Sequence, residues 1–376
     1  MTKNLNNKIR VYYLHNNPCG LDTASLQKLW PFLDGDIKSR LVQDWEDPQY
    51  VFATTWQYVN RDSFNALKKL YLKDKQRIYI FIGDEALNPD LNIFDYALTF
   101  NCDLKDNDRI CRLPPGYFFK LPVFNNFTYK DALNKVKNNN LKFCNFIYSN
   151  PDAHPMRDKL FYKLSEYKRV DSHGPHLNNT GTKRSREDRD YMAVGINIKS
   201  NYKFSIAAEN AILNGYTSEK LMTSLKAHTV PIYFGNPKAA ELYNPEAFIN
   251  FNELDFNFDT LMARVKEIDE NDELWAKMVS APWHTEQQLA KLNQQVLIYK
   301  NFIKNIFDPS VPLSEKKRVP MGYWADNYLR CYFTRKFIFK TKFTERIKTP
   351  VRKFLIRHGW QMAVHKILVK LGLRQD

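Results

Sequence analysis

Between Glu209 and Lys220 the chain sets out polar residues in the order Glu209-Asn210, Tyr216, Glu219-Lys220, with Thr217 and Ser218 just ahead of the last pair. Thr and Ser are good helix N-caps, so a helix is expected to start here. Its first N–H groups and partial positive charge suit a phosphate. Lys220 adds a full charge in a first turn, where acidic residues are the rule; it opposes the dipole unless an anion is present. Glu219 can accept hydrogen bonds from sugar hydroxyls. A capped surface helix with a solvated Glu-Lys pair fits the same residues. A second acidic pair, Asp84-Glu85, follows the apolar run Ile78–Ile82. Carboxylates at the end of a parallel strand lie where ligands bind, and they also fit a loop of solvated acids capping a turn.

The elements that must hold these groups follow from periodicity. Lys203–Ala207 is short and apolar enough for a buried strand, and Asn210, Asn214 and Gly215 mark a loop. Leu221, Met222 and Leu225 form a helical stripe, and Val230–Phe234 is a strand closed by Gly235-Asn236-Pro237. Such a βαβ unit leaves a crevice at the C-terminal ends of its strands. Earlier in the chain, Ile9–Leu14, Val51–Thr55, Ile78–Ile82 and Tyr96–Phe100 read as strands, with Asp95 in a structural role at the start of the last. A helix is expected over Asp62–Leu72. The alternation predicts an α/β sheet with a mostly parallel core. Further on, Phe143–Tyr148 is a strand running into Ser149-Asn150-Pro151-Asp152, and Met156-Arg157-Asp158 opens a helix. Residues 173–190 are rich in Gly, Asn, Thr and charge, and predict a mobile loop near the crevice. Its His173 and His176 have no acidic or Cys partner at metal-ligand spacing and are read as loop histidines. Helices are expected near Asp259–Ile268, Asp272–Ser280 and Gln287–Phe307.

Length and charge set the frame. A chain of 376 residues is expected to form two domains, each with its own core. The five cysteines are scattered without a CxxC pair, which suggests reduced thiols in a cytosol and excludes a disulfide framework or zinc site. The first residues, MTKNLNNKIR, lack the apolar core of a signal peptide, and no run is long enough to span a membrane. Residues 315–376 hold 16 Lys/Arg against 4 Asp/Glu, a net +12, whereas the first 314 residues carry only +3. Their apolar positions alternate with basic faces, as in helices that lie on anionic membranes. Nucleic-acid binding and a helix docked on the body are the competing readings of that tail.

At Tyr202-Lys203-Phe204, Glu209-Asn210, Tyr216-Thr217-Ser218-Glu219-Lys220, Val230-Pro231 and Gly235-Asn236-Pro237 the sequence resembles the donor-binding motif of the α-1,3-fucosyltransferases, glycosyltransferase family 10, of the bacterial or viral kind without an N-terminal membrane anchor. It departs at Ala208, where an aromatic is common, and at Ala211, where Ser is common. Pro89, Asn92, Ile93, Phe94, Asp95 and Tyr96 are similar to a second family segment, and Ser149-Asn150-Pro151 with Arg157 to a third. The resemblance spans roughly residues 78–310.

The resemblance implies a GT-B arrangement: two Rossmann-like domains facing a central cleft, with a basic helical C-terminal tail. The expected division is an acceptor-binding domain over 1–140, a GDP-fucose-binding domain over 141–314 and the tail over 315–376. The implied reaction is inverting transfer of L-fucose from GDP-β-L-fucose to a GlcNAc hydroxyl of a lactosamine-type glycan. By resemblance Glu85 is the general base, with Asp84 the alternative. Arg157 and Lys220 stabilise the departing GDP, Arg157 through a planar fork that binds two oxygens at once. Glu219 holds the ribose, and Asn210 and Tyr216 line the donor site. No metal or other cofactor is expected, an Asp-x-Asp motif being absent. The expected partners are GDP-fucose, a glycan and an anionic membrane, without nucleic acid, and the expected location is the cytoplasmic side of the inner membrane. Two other functions fit more loosely: a related transferase with another donor or acceptor, and a basic adaptor built on a degenerate transferase body.

Overall fold

A computed structural model describes residues 8–14, 33–58, 60–83, 85–114, 124–182 and 191–334. They cluster into two units. The first takes in the described residues of Met1–Lys120, Leu213–Tyr216 and Leu289–Phe337, and the second those of Leu121–Ile212 and Thr217–Gln288.

The first unit is built on six strands: β1 (Ile9–Leu14), β2 (Leu41–Gln43), β3 (Tyr50–Thr54), β4 (Ile78–Ile82), β5 (Tyr96–Thr99) and β6 (Ile110–Arg112), in the order β2-β1-β3-β4-β5-β6. Every pair is parallel. Alternate residues face opposite layers, as the two-residue strand period requires. Tyr13, Phe52, Ile80 and Leu98 join one core with Tyr299, Phe302 and Ile306 of the helix Glu286–Ile306. Tyr12, Val51, Phe81 and Ala97 join the other with Phe64, Leu67 and Tyr71 of the helix Arg61–Lys73. Because both faces are covered, β3 and β4 are continuous apolar runs. Asp95 is structural: fully buried, it accepts bonds from the Tyr79, Arg318 and Val319 N–H groups and from Lys317 Nζ.

Residues 315–334, which the charge count assigns to the basic tail, pack inside this unit. The helix Tyr323–Thr334 buries Leu329, Tyr332 and Phe333, with Phe333 ring centroids 5.7 Å from Phe64 and 5.4 Å from Tyr71. Their spacing of three and four residues puts them on one helix face, and those apolar side chains find a core rather than a lipid surface. The remainder of the tail, 335–376, lies outside the described residues, as does Asp84. Among the described residues no helix is long and apolar enough to cross a membrane.

The second unit has five parallel strands: β7 (Lys142–Phe146), β8 (Val170–Ser172), β9 (Tyr202–Ala208), β10 (Val230–Phe234) and β11 (Ile249–Asn250). Their order, β8-β7-β9-β10-β11, repeats the first sheet's order over its first five strands. In this doubly wound order the strand sequence reverses between β7 and β9, which makes the loops after those strands the expected ligand crevice. Phe146, Phe204, Ile206, Ile232 and Trp275 centre the core.

The stretch expected to be a mobile loop is ordered in its first half. Asn179 accepts a bond from the Ser172 N–H at 2.7 Å and donates to the Val170 carbonyl at 2.8 Å, so its own polar side chains tie it to β8. Residues 183–190 lie outside the described residues, and a helix absent from the sequence reading, Tyr191–Lys199, follows them.

Candidate active site

In the second unit a cavity opens where the strand order reverses. Tyr148 and Asn150 reach it from the end of β7, Asn210 from the end of β9, Arg157 from the helix Met156–Tyr167, and Glu219 and Lys220 from the helix Glu219–Lys226. Six polar groups scattered over 73 residues thus meet at the C-terminal ends of two adjacent strands.

Arg157 is only 1% exposed. Its guanidinium carbon sits 4.6 Å from the Tyr148 ring centroid, it donates to the Asn150 carbonyl, and Nη1 lies 3.4 Å from Asn210 Oδ1. Asp158 approaches Nε at 3.7 Å and is itself held by His176 Nε2 at 2.8 Å. The Tyr148 hydroxyl donates to Ile206 O and accepts from Ala208 N, joining the ends of β7 and β9, and burial keeps it neutral by raising its pKa above the ordinary tyrosine value. A buried cation stacked on a ring and held at its edges is a rigid anion receptor.

Lys220 is fixed by a residue that the sequence reading left without a role. Glu209 is fully buried and accepts from the Ser218 N–H at 2.8 Å, the Ser218 hydroxyl at 2.6 Å and Lys220 Nζ at 3.1 Å. Ser218, and not Thr217, is the N-cap, and its own side chain does not cap the helix; the Glu209 carboxylate takes the Ser218 N–H. Burial drives the Glu209 pKa up, opposed by Lys220 and Ser218. Gly235 makes room for this carboxylate: at φ +148°, a Cβ there would stand 2.4 Å from Glu209 Cγ. Asn236 donates to the buried Thr217 hydroxyl at 3.0 Å. These contacts give a physical purpose to Gly235, a fixed point of the motif, and to Asn236 beside it.

The helix Tyr191–Lys199 adds Tyr191 and Lys199 to the cavity wall. Lys199 is buried and donates to Thr223 Oγ1 at 2.7 Å and Ser224 Oγ at 3.0 Å, which ties it to the helix carrying Lys220. Met192, Val194, Ile196 and Ile198 alternate at a strand's period of two, so the apolar pattern carries no signal for this helix.

Glu85 and Tyr216 belong to the first unit. Glu85 follows β4, and the Tyr216 hydroxyl donates to its Oε2 at 2.5 Å. Tyr216, which the resemblance assigns to the donor site, is not among the described residues that line the cavity. Among the described residues no group of three or more His, Cys, Asp or Glu is placed to hold a metal ion, and His173 and His176 bind Tyr202 and Asp158.

Residues 137–305 match the family model of glycosyltransferase family 10 (fucosyltransferase), C-terminal. The chain is 27% identical over 270 residues to the alpha-(1,3)-fucosyltransferase FucT of Helicobacter pylori, covering 63% of this chain and 52% of that one. It is 28% identical over 203 residues to the GDP-fucose protein O-fucosyltransferase 3 of Xenopus laevis, covering 52% and 42%. The chain therefore spans about half the length of the curated relatives it matches. A crystal structure of an alpha1,3-fucosyltransferase with GDP-fucose superposes with a TM-score of 0.57 at 22% identity, over 81% of this chain and 93% of that one. That likeness assigns the GT-B fold class, with two α/β units each built on a parallel sheet. The motif residues, the cavity they line and the match over 137–305 lead to one conclusion: this part of the chain is similar to the C-terminal domain of glycosyltransferase family 10, the fucosyltransferases.

Proposed function

We propose that the protein transfers L-fucose from GDP-β-L-fucose, with inversion, to a GlcNAc hydroxyl of a lactosamine-type glycan. The observation that carries this reading is the pair of cations at one cavity, Arg157 stacked and buried, Lys220 held by a buried carboxylate at a helix N-terminus. Such a receptor suits a diphosphate better than a neutral ligand. In the proposed step Glu85 takes the proton of the acceptor hydroxyl as its oxygen bonds to the anomeric carbon. The bond from that carbon to the phosphate oxygen breaks on the opposite face, and GDP leaves with the electron pair. Arg157, Lys220 and the helix N-terminus stabilise the charge that develops on it. Glu219 holds the ribose, with Asn210 beside it on the cavity wall.

A protein acceptor is the second reading, favoured by the similarity to a protein O-fucosyltransferase. Residues 335–376, with their excess of Lys and Arg, would hold the protein against the anionic inner face of a membrane.

The test is GDP release from GDP-fucose by the purified protein in EDTA, with N-acetyllactosamine, with a folded polypeptide acceptor and with neither. Release that depends on N-acetyllactosamine supports the first reading. Release only with the polypeptide transfers support to the second. Lys220→Ala is expected to lower kcat/KM at least 100-fold; unchanged turnover would remove the phosphate role.

A further inference from the structure

The loop after β8 crosses Tyr148, the residue on whose ring Arg157 stacks. Gly174 passes so close that a Cβ would stand 2.1 Å from the Tyr148 carbonyl oxygen, so the crossing needs glycine. Two residues on, the His176 N–H donates to that same carbonyl at 3.0 Å, and the His176 carbonyl accepts from Ser172 Oγ at 2.8 Å. The His176 ring is buried beside Phe146, with centroids 5.9 Å apart. Backbone and ring are thereby fixed by β7 and β8, and the imidazole is delivered to the helix Met156–Tyr167.

There Nε2 meets Asp158 Oδ1 at 2.8 Å. A carboxylate only accepts, so Nε2 is the nitrogen that carries the proton. Nδ1 is buried and has no hydrogen-bond partner among the described residues, so the ring directs its donor at Asp158 alone. Asp158 Oδ1 in turn stands 3.7 Å from Arg157 Nε. With Nε on that side, the Nη groups are left toward the cavity wall, where they meet the Asn150 carbonyl and Asn210 Oδ1. The contacts close a ring, from Tyr148 to Arg157, Asp158, His176 and back to Tyr148. His176 is not among the described residues that line the cavity, although Gly174 and Pro175 are. It can act on a ligand only through its neighbours. We infer that His176 is a positioning residue for Arg157: through Asp158 it sets the plane in which the guanidinium meets the diphosphate. This rests on the reading of Arg157 as a diphosphate ligand.

The experiment measures GDP affinity by calorimetry in the full chain for His176→Phe, His176→Gln, Arg157→Gln and the double variant of His176→Phe with Arg157→Gln, with the unfolding temperature to establish that each is folded. Phe keeps a ring beside Phe146 and removes the donor, whereas a Gln amide reaches about as far as Nε2. The inference expects His176→Phe to bind GDP about 10-fold more weakly, as for one lost hydrogen bond to a charged group, and His176→Gln to recover most of that loss. It also expects the double variant to bind no more weakly than Arg157→Gln, because the histidine acts through the arginine. Should His176→Phe not fold, His176→Asn, whose amide ends short of Asp158, replaces it in both comparisons with the same expected results. Wild-type affinity in His176→Phe beside a weakened Arg157→Gln would overturn the inference alone. So would a His176→Gln no better than His176→Phe, or an additive loss in the double variant. Wild-type affinity in Arg157→Gln, or no binding of GDP to the unsubstituted chain, would remove the diphosphate reading and the inference with it.

Discussion

Glu209 is fully buried, and a lone carboxylate in that position would be strongly disfavoured. Three donors from one turn of chain, the Ser218 N–H, the Ser218 hydroxyl and Lys220 Nζ, offset that cost. The same three bonds fix where the Lys220 charge stands, so stability and site geometry depend on one residue. Gly235 is the weak point of the arrangement. Gly235→Ala would put a Cβ 2.4 Å from Glu209 Cγ on a backbone that L side chains rarely adopt. It is expected to cost about 1–3 kcal/mol in denaturant unfolding and to raise the GDP-fucose KM, since Lys220 moves with its carboxylate. Wild-type stability and KM in this variant would show that the carboxylate is not held as described.

At the scale of elements, the helix Glu219–Lys226 ends on a device of its own. His228 turns the chain into β10 at φ +52°, and its ring stacks on Phe127 with centroids 4.0 Å apart. Lys135 reaches across from the helix Tyr129–Asn138 to donate to the Ala227 and His228 carbonyls. Burial, reinforced by Lys135 and opposed by Asp131, lowers the His228 pKa from 6.5 to about 4. Between those values the unfolded chain binds the extra proton and the folded one does not. The contribution of His228 to stability is therefore complete above about pH 6.5 and is lost as pH falls toward 4. Asn tolerates the left-handed backbone, so His228→Asn is expected to lower the unfolding temperature at pH 7 through the lost stack, and to show a shallower decline between pH 6.5 and 4. A decline as steep as that of the wild type would sink this account.

For the whole molecule, most of the basic excess of the C-terminal region lies after residue 334, and the helix Tyr323–Thr334 packs in the first unit. Burying Leu329, Tyr332 and Phe333 is worth about 1.5–3 kcal/mol each by area. A chain ending after Gly322 is expected to unfold several °C below one ending after Thr334. If the tail docks on anionic lipid, the longer truncate also sheds binding to phosphatidylserine vesicles. Equal unfolding temperatures for the two truncates would mean that the helix Tyr323–Thr334 adds nothing to the first unit.

How much of this was legible depends on where each element's information lies. β1, β4 and β10 were expected over the residues they occupy, because strands buried on both faces are continuous apolar runs bounded by polar turns. The helix Asp272–Ser280 was equally plain, its apolar residues falling on one side. The short strands β2 and β6 have three residues each, and neither length nor pattern sets them apart from loop. The helix Tyr191–Lys199 was missed because its apolar residues alternate at a strand's period rather than a helix's. Local sequence thus determined which segments are the longer strands, which residue types line the cavity and the order in which they come. It could not determine partners at long range. That Glu209 holds Lys220, that Tyr216 holds Glu85 across 131 residues, and that residues 323–334 return to the first sheet are consequences of chain topology. Only the folded chain decides which of several buried donors meets a given carboxylate, because every buried polar group must find its partner among whatever the packing brings within reach.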